Sequence, residues 1–303
     1  MNAKKVHKSP MQFLREYGTD YLFAAPFFIL FVLFTLVPIV ASAVLSLTDF
    51  NAVSVHKFVG IQNYLNLILD DGLFLQALKN TFFLSVVTGP VGYFLCLLVA
   101  WLLNELGDKT RSLITLLFYA PVISGGAYTV WQIIYSGDAY GFLNGMLLEL
   151  GIIDAPIQWL TDTSYMMPAA IVLILWMSFG TGFLSLIAGF KNVDKTLYEA
   201  GEVDGVRNRF QELWYITLPY MKPQLMFSAI MSITGAFGIG DVITAVFGFP
   251  TSGYALHTLV HHMQDYGNTR FEMGYASSVA IVLFVIMIAA NGLVQKLLRK
   301  VGD

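Results

Sequence analysis

The sequence predicts an all-α membrane protein with about six transmembrane helices, and three observations support this fold class. Of its 303 residues, 56% are apolar and only 12% are charged. Soluble domains are typically about 45–50% apolar and about 25% charged. The mean hydropathy is +0.67. Several uncharged runs also reach the roughly 20 residues that a helix needs to cross a bilayer. We therefore expect lipid to surround much of the chain.

Uncharged runs define the expected transmembrane spans. The clean runs cover residues 21–48, 81–103, 113–135, 165–190 and 273–295. Another run, residues 224–249, is interrupted only by Asp241. We expect a single transmembrane domain over residues 1–303 with an N-terminal cytoplasmic tail over residues 1–20. The first apolar stretch is about twenty residues long, beyond the usual ~7–15 of a cleaved signal peptide, so an uncleaved helix is expected.

Proline and glycine occur at membrane depth in several of these spans. Irregular backbone is tolerated in a bilayer only where other helices or a water-filled cavity satisfy it. Packing of small residues is the alternative explanation at any single position. Their number favours a mobile helix bundle around a pathway. The residues are Pro26, Pro38, Pro90, Pro121, Gly125, Gly126, Gly180, Gly182, Gly235, Gly238 and Gly240.

The basic residues divide unequally between alternate connections. If the N-terminus is cytoplasmic, the outer connections hold only Lys57, Lys79 and Arg270, so 14 of the 17 Lys and Arg residues are cytoplasmic. Because cytoplasmic loops carry an excess of Lys and Arg, both termini are expected inside the cell. The connection over about 191–223, between the fourth and fifth spans, is then cytoplasmic as well.

This cytoplasmic connection contains signals for two short helices. Asp194 is a suitable N-cap, and Gly205 after Asp204 is a suitable left-handed stop. A second short helix is expected from Asn208 to Ile216, ending before Pro219. Both helices would lie at the inner membrane surface.

The same connection contains a recognisable motif. It reads Leu197-Tyr198-Glu199-Ala200-Gly201-Glu202-Val203-Asp204-Gly205, and after ten residues Ile216-Thr217-Leu218-Pro219. This pattern resembles the EAA loop of ABC importer permeases, which reads Glu-Ala-Ala, three residues, Gly, nine residues and Ile-x-Leu-Pro. The chain departs from it in having Gly201 in place of Ala and a spacer of ten residues.

Other segments resemble the carbohydrate branch of that family, the permeases of maltose, glycerol-3-phosphate and multiple-sugar importers. These segments are residues 21–26, 58–64, 120–124 and 273–277. The resemblance implies a multi-pass bacterial cell-membrane subunit of an ATP-driven, binding-protein-dependent importer. It further implies that the solute is a carbohydrate, by preference an oligosaccharide, moved by alternating access.

The resemblance also implies partners and a coupling role for the loop. In the family, the short helix of the EAA loop docks on an ATPase subunit and transmits its closure to the membrane helices. The implied partners are a second permease subunit, by preference a homologous heterodimer partner, two ATP-binding subunits and an extracytoplasmic solute-binding protein. The coupling residues would be Leu197, Glu199, Ala200, Gly201, Asp204, Gly205, Leu218 and Pro219.

The sequence contains no phosphate-binding loop of its own. That motif needs Gly, four residues and Gly-Lys-Ser/Thr. Its nearest counterpart, Gly107-Asp108-Lys109-Thr110, has Asp before the Lys and Leu103 where the first Gly should stand. We therefore expect ATP and Mg on the partner subunits, and no cofactor, catalytic residue or nucleic acid on this chain.

A few residues within or near the spans are candidates for the substrate pathway. Asp241 is the single acidic residue in an expected span, and such a group is a functional candidate by default. Tyr128, Trp131 and Trp176 could stack on sugar rings, although aromatic residues in spans are commonly interface anchors.

Three histidines share a short stretch near the fifth span. His257, His261 and His262 have a spacing that could place two imidazoles on one helical face, but a metal site needs a complete ligand set. We expect a water-exposed outer loop here and no metal.

Rival functions are distinguishable by particular features. An importer permease for another solute class would differ only in overall resemblance. An ion-coupled secondary transporter should show more buried ionisable residues and no docking loop. A membrane-embedded enzyme would need a cluster of His, Asp or Glu at the membrane surface, for which the histidine group is the candidate.

Overall fold

The computed structural model describes residues 10–51, 57–124 and 126–299, with side chains described from residue 18 onward. Within these ranges the regular elements are helices, and a lone antiparallel bridge joins Thr48 to Phe58. The predicted all-α fold class is thereby confirmed. Part of the predicted tail, residues 1–9, lies outside the described residues.

Three helices are long and apolar enough to cross a membrane: Gly18–Leu45, Gly72–Asn104 and Met273–Leu298. The first lies within a longer helical path made of α1 (Pro10–Phe31), a π turn (Val32–Leu36) and α2 (Val37–Leu45). The others are α4 (Gly72–Asn104) and α16 (Met273–Leu298), and α3 (Gln62–Leu69) precedes α4.

Three pairs of shorter helices meet at a bend, which gives up to six spans if each pair is one span. The pairs are α5 (Asp108–Ile123) with α6 (Ala127–Ile134), α8 (Thr163–Trp176) with α9 (Thr181–Lys191), and α13 (Lys222–Phe237) with α14 (Gly240–Phe247). The second pair bends by 41° and the third by 48°. The expected continuous runs are therefore helix pairs, broken beside the glycines that the sequence marked.

Shorter helices complete the described chain. α7 (Phe142–Glu149) lies between the third and fourth spans, and α15 (Leu259–Gln264) precedes α16. The connection after α9 contains α10 (Lys195–Val203), α11 (Arg209–Glu212), a π turn (Leu213–Thr217) and α12 (Leu218–Tyr220).

The second span begins nine residues earlier than its uncharged run predicts. Asp71 is the N-cap of α4 and accepts a 2.8 Å hydrogen bond from the backbone nitrogen of Phe74. The run ended at Lys79, but this side chain is exposed and leaves the helix intact. Because the span was defined by the absence of charge, Lys79 excluded more than two helical turns from the predicted span.

Packing centres on α13, which contacts α4, α9 and α16. The first span differs from the others, because none of the residues in its most apolar window is buried within this chain, and α2 contacts α16. Residues 191–223 lie beside the ends of α4 and α16, where Arg209 pairs with Glu105 at 2.9 Å. We call this the loop end of the bundle, and the opposite end, which contains α15, the histidine end.

Candidate functional site

The helix α10 begins and ends where the sequence predicts. The Asp194 carboxylate accepts a 3.0 Å hydrogen bond from the backbone nitrogen of Thr196, which caps the helix and holds the pKa of Asp194 below its ordinary value. Gly205 adopts a φ of +94°, a left-handed conformation in which a side chain is strained. Both helix signals are confirmed.

One face of α10 packs on the chain that follows it. Gly201 is buried, and a Cβ at this position would lie 2.6 Å from Cδ1 of Ile216. The Tyr198 hydroxyl lies 2.9 Å from Oγ1 of Thr217. The departure from Ala at Gly201 therefore coincides with a close approach of α10 to the π turn.

The opposite face of α10 is exposed. At 100° per residue, Glu199 and Val203 lie nearly opposite Gly201, and Val203 is 88% exposed. Further exposed aromatic side chains at the loop end are Phe210, Trp214, Tyr215 and Tyr220. A cavity of about 540 Å³ between α10 and the chain that follows it is lined by Leu197, Ala200, Gly201, Asp204, Val206, Tyr215, Ile216 and Tyr220. Exposed apolar surface of this kind is typical of a protein interface.

The second short helix of the connection extends further than the sequence predicts. Asn208 caps it by accepting a 2.9 Å hydrogen bond from the backbone nitrogen of Gln211. The helical path does not end before Pro219, because the π turn and α12 continue it to Tyr220. Pro219 stands in the first turn of α12, where a missing N–H costs little. The prediction of a stop before Pro219 was wrong.

The Leu-Pro part of the motif lies inside the bundle. Leu218 is buried in one apolar cluster with Phe183, Phe190 and Met221, which connects it to α9. Pro219 is half-buried. These residues thus join the exposed helix α10 to the transmembrane core.

A cavity of about 330 Å³ lies where the fourth and fifth spans break. Its lining is mostly apolar, with hydroxyl groups contributed by Thr88, Ser178, Thr181, Ser228 and Ser232. Of the residues that the sequence singled out for the pathway, Tyr128 lines this cavity. The sequence analysis missed the hydroxyl residues, although Ser178 and Thr181 flank the glycines of the fourth span.

The other pathway candidates lie elsewhere. Asp241 is exposed in the first turn of α14, and Nε2 of Gln264 donates a 3.2 Å hydrogen bond to its Oδ1. Trp131 is only 9% exposed and belongs to an apolar cluster, with its ring edge-to-face on Trp176 at 5.5 Å. Asp241 precedes Val242, which lines the cavity, whereas the Trp pair is part of the core.

The histidines are buried, so the prediction of a water-exposed loop was wrong. His257, His261 and His262 are 2%, 1% and 1% exposed. Burial, together with the neighbouring His262, lowers the pKa of His257 to about 4. Polar partners of these histidines come from distant parts of the chain, among them Asp71, near the ring of His262, and Asn80, whose amide donates to the carbonyl oxygen of His257. In the described part of the chain, no group of three or more His, Cys, Asp or Glu residues could hold a metal ion.

Known proteins similar to this chain agree with the geometry. Residues 18–303 match the model of one protein family, the binding-protein-dependent transport system inner membrane components. A probable ABC transporter permease, YesP of Bacillus subtilis (strain 168), is 33% identical over 308 residues, covering 100% of this chain and 96% of YesP. The lactose transport system permease LacF of Rhizobium radiobacter is 33% identical over 282 residues, covering 91% and 92%.

A solved structure shows the same fold. A chain of a bacterial alginate ABC transporter, crystallised with its alginate pentasaccharide-bound periplasmic protein, matches with a TM-score of 0.79 at 20% identity, covering 98% of this chain and 99% of that one. The resemblance to ABC importer permeases is thus confirmed. The chain belongs to the family of binding-protein-dependent transport system inner membrane components, and it is accordingly a multi-pass membrane transport subunit, not an enzyme, that works with a solute-binding protein and an ATPase.

Proposed function

We propose that this chain is the permease subunit of an ATP-driven importer that moves a carbohydrate, by preference an oligosaccharide, by alternating access. The main support for the proposal is the geometry of α10. One face of this helix packs on the π turn, and the other exposes Glu199 and Val203. Relatives named for lactose and for arabinooligosaccharides support the solute class.

The contacts of α10 suggest how it couples to ATP hydrolysis. Its exposed face docks on an ATPase subunit, with the Glu199 carboxylate accepting hydrogen bonds from a cationic or backbone donor there. Movement of α10 is passed to the π turn through Gly201 and Tyr198. Leu218 then carries it into the apolar cluster that contains α9. In this scheme, ATP favours one of two helix packings because it binds that packing better.

The cavity at the span breaks is the proposed pathway of the solute. The hydroxyls of Thr88, Ser178 and Ser232 donate to backbone carbonyls, and their oxygen lone pairs can accept hydrogen bonds from the hydroxyl groups of a sugar. Tyr128 offers an aromatic face to the same cavity. Asp241 is proposed to meet the solute at the histidine end, while Trp131 and Trp176 support the wall from behind.

The remaining partners follow from this arrangement. A second permease subunit, by preference a homologue, supplies the other half of the pathway. Two ATPase subunits bind ATP and Mg and meet the loop end on the cytoplasmic side, with both termini of this chain inside the cell. The solute-binding protein docks at the histidine end on the outer side.

Reconstitution tests the proposal. The chain, purified from its own host with the subunits that accompany it, is placed in proteoliposomes with ATP and no ion gradient. Labelled lactose, arabinooligosaccharide, maltose and sn-glycerol-3-phosphate are offered together with the binding protein. We expect ATP-dependent uptake of a sugar. Uptake that needs an ion gradient but no ATP would reject the proposal. Selective uptake of sn-glycerol-3-phosphate, for which a 28% identical relative is named, would reject the oligosaccharide assignment.

Asp241 is tested in the same system. Asp241→Asn should retain assembly and basal ATP hydrolysis while weakening uptake, because an amide accepts hydrogen bonds less strongly than a carboxylate. Asp154→Asn removes the same charge from an exposed outer connection and is the matched control. Equal uptake by wild type and Asp241→Asn at all solute concentrations would assign Asp241 a structural role.

A further inference from the structure

The residues that lead into and form α15, residues 251–264, are wedged between the second span and the break in the fifth span. On the side of the second span, the Asn80 amide donates 3.0 Å hydrogen bonds to the carbonyl oxygens of Ala255 and His257. The Thr81 hydroxyl accepts a 2.8 Å hydrogen bond from the backbone nitrogen of Leu259. We call residues 251–264 the wedge, and α4 holds it at these points.

On its other side the wedge touches the start of α14. A Cβ on Gly240 would lie 2.6 Å from Cγ1 of Val260, so only glycine permits this approach. Nε2 of His261 lies 3.0 Å from the carbonyl oxygen of Gly240 and 3.0 Å from Oγ1 of Thr244. His261 therefore contacts α14 at two points, its first residue and the start of its second turn.

The tautomer of His261 follows from its partners. The backbone nitrogen of Thr258 donates a 3.1 Å hydrogen bond to Nδ1 of His261, as part of the capping box of α15. Since Nδ1 accepts, the ring proton is on Nε2, which donates to the Gly240 carbonyl. The neutral ring thus joins the cap of α15 to the first turn of α14.

The remaining histidines tie the wedge to the starts of two other spans. Nε2 of His257 lies 3.2 Å from Nδ1 of His262, and Nε2 of His262 lies 3.1 Å from Oδ2 of Asp71. Asp71, the N-cap of α4, also accepts a 2.9 Å hydrogen bond from the hydroxyl of Tyr275 on α16. The wedge is consequently fixed to α4 and α16, and His261 connects that fixed block to α14.

We infer that His261 is a positioning residue for transport, which sets the angle of α14 and with it the shape of the solute cavity. The inference rests on the proposed function, because α14 contributes Val242 to the cavity and Ile239 lines it at the break. The 48° bend between α13 and α14 leaves the outer half of this span without a continuous helix to orient it. His261 supplies that orientation from the side.

Substitutions separate this role from simple packing. His261→Leu fills similar space but leaves the Gly240 carbonyl and the Thr258 backbone nitrogen without this partner. His261→Gln keeps an amide nitrogen that can reach the same carbonyl. His257→Leu is the matched control, because His257 is equally buried and its Nε2 bonds to His262. Its ring also stacks on those of His261 and Phe249, and an apolar leucine side chain can fill that contact.

Chemical modification of the native Cys96 can measure access to the cavity without any solute. Cys96 is the chain's single cysteine, and it lines the cavity. In the purified complex, the rate at which N-ethylmaleimide modifies Cys96 is followed by mass spectrometry, alongside thermal melting. We expect His261→Leu to raise this rate severalfold, because Cys96 is only 3% exposed and a displaced α14 would open the cavity around it. His261→Gln should return it towards the wild-type rate. His257→Leu should lower the melting temperature without changing the rate.

Uptake of the sugar that the wild type transports completes the test. His261→Leu should raise the KM for that sugar and lower the solute transported per ATP, per assembled complex. Wild-type Cys96 modification and transport in His261→Leu, or equal changes in His257→Leu, would overturn the inference. A wild type that transports no sugar would reject the proposed function, while the Cys96 rates would still decide the role of His261.

Discussion

The two ends of this protein differ in which side chains they bury and which they leave exposed. At the loop end, α10 buries one face on the π turn and leaves Val203 and several aromatic side chains exposed. At the histidine end, imidazoles and a carboxylate are buried, and they bond to residues up to about 200 positions away, as Tyr275 does to Asp71. The loop end thus exposes one face of a short helix and a group of aromatic side chains, whereas the histidine end buries a polar network within the chain, with Phe249, Tyr254 and Phe271 exposed around it.

This difference indicates where a partner contributes and where the chain depends on itself. Exposed apolar surface next to water favours a second protein. Buried polar groups are tolerated only when hydrogen-bonded, so a network such as Asp71, His262 and His257 fixes one arrangement of the helices. Changes at the loop end should therefore impair the assembly, and changes at the histidine end should impair the chain itself.

The largest expected effect is at Glu199. Glu199→Lys should abolish uptake and reduce the ATPase retained on purification, because a desolvated attraction becomes a repulsion of several kcal/mol. The melting temperature of the isolated chain should not change. Glu202→Lys makes the same charge change on the flank of α10 and should retain more ATPase. Normal uptake by Glu199→Lys would remove the proposed difference between the two ends.

Asp71→Asn should show the opposite behaviour. The amide cannot accept all the hydrogen bonds of the carboxylate, so we expect a loss of about 1–3 kcal/mol in the stability of the isolated chain. Thermal melting in detergent without partners measures this loss. The neighbouring Asp70 is exposed, and Asp70→Asn should be nearly silent. A stable Asp71→Asn chain would contradict the self-contained character of the histidine end.

Substitution of glycine should have a smaller effect, which also differs between the loop end and the rest of the chain. Gly205 and Gly151 both have positive φ, +94° and +65°, and in both cases a Cβ would meet no atom within 4 Å. Alanine at either position therefore costs only backbone strain, about 1–2 kcal/mol. Gly205→Ala should reduce the ATPase retained by the complex, since it misdirects α10. Gly151→Ala, outside the loop end, should retain all of it, and equal losses would show that the effect is not specific to α10.

The stability of the histidine end should also depend on pH. His257 has a pKa lowered to about 4 by burial and by His262, so the folded chain favours the neutral ring. Its stabilising contribution is complete above pH ~6.5 and is lost as the pH falls from ~6.5 through about 4. Melting temperatures of wild type should fall over that interval, and those of His257→Gln should fall less. Identical pH profiles would show that the ring titrates as in water.

Local signals in the sequence predicted much of this structure. Uncharged runs located the spans, and Asp194 and Gly205 marked the ends of α10, because these features depend on neighbouring residues alone. The sequence analysis missed that helix continues past Pro219, because it treated proline as a stop, whereas the π turns Val32–Leu36 and Leu213–Thr217 each end two residues before a proline within a continuing helical path. Burial of the histidines was also missed, because Asn80 and Thr81 come from a helix some 180 residues away.

The cavity at the span breaks was predicted only in part. Glycines at Gly180 and Gly238 indicated breaks in the spans, and the structure has helix breaks beside both. Which side chains face the cavity depends on the bends of 41° and 48°, and these follow from tertiary packing. Asp241 and Tyr128 were therefore selected by residue type, and only Tyr128 lines the cavity.

A photo-crosslinking amino acid at Val203 tests whether α10 docks on a separate ATPase. The side chain is 88% exposed and lies on the face opposite Gly201. Irradiation of intact cells should give one major adduct with the ATPase subunit, and Glu199→Lys should abolish it. The same label at Ile152, an exposed apolar position outside the loop end, should give no such adduct. If Val203 instead labels lipid or the binding protein, or if Ile152 labels the ATPase equally, α10 is not the docking helix.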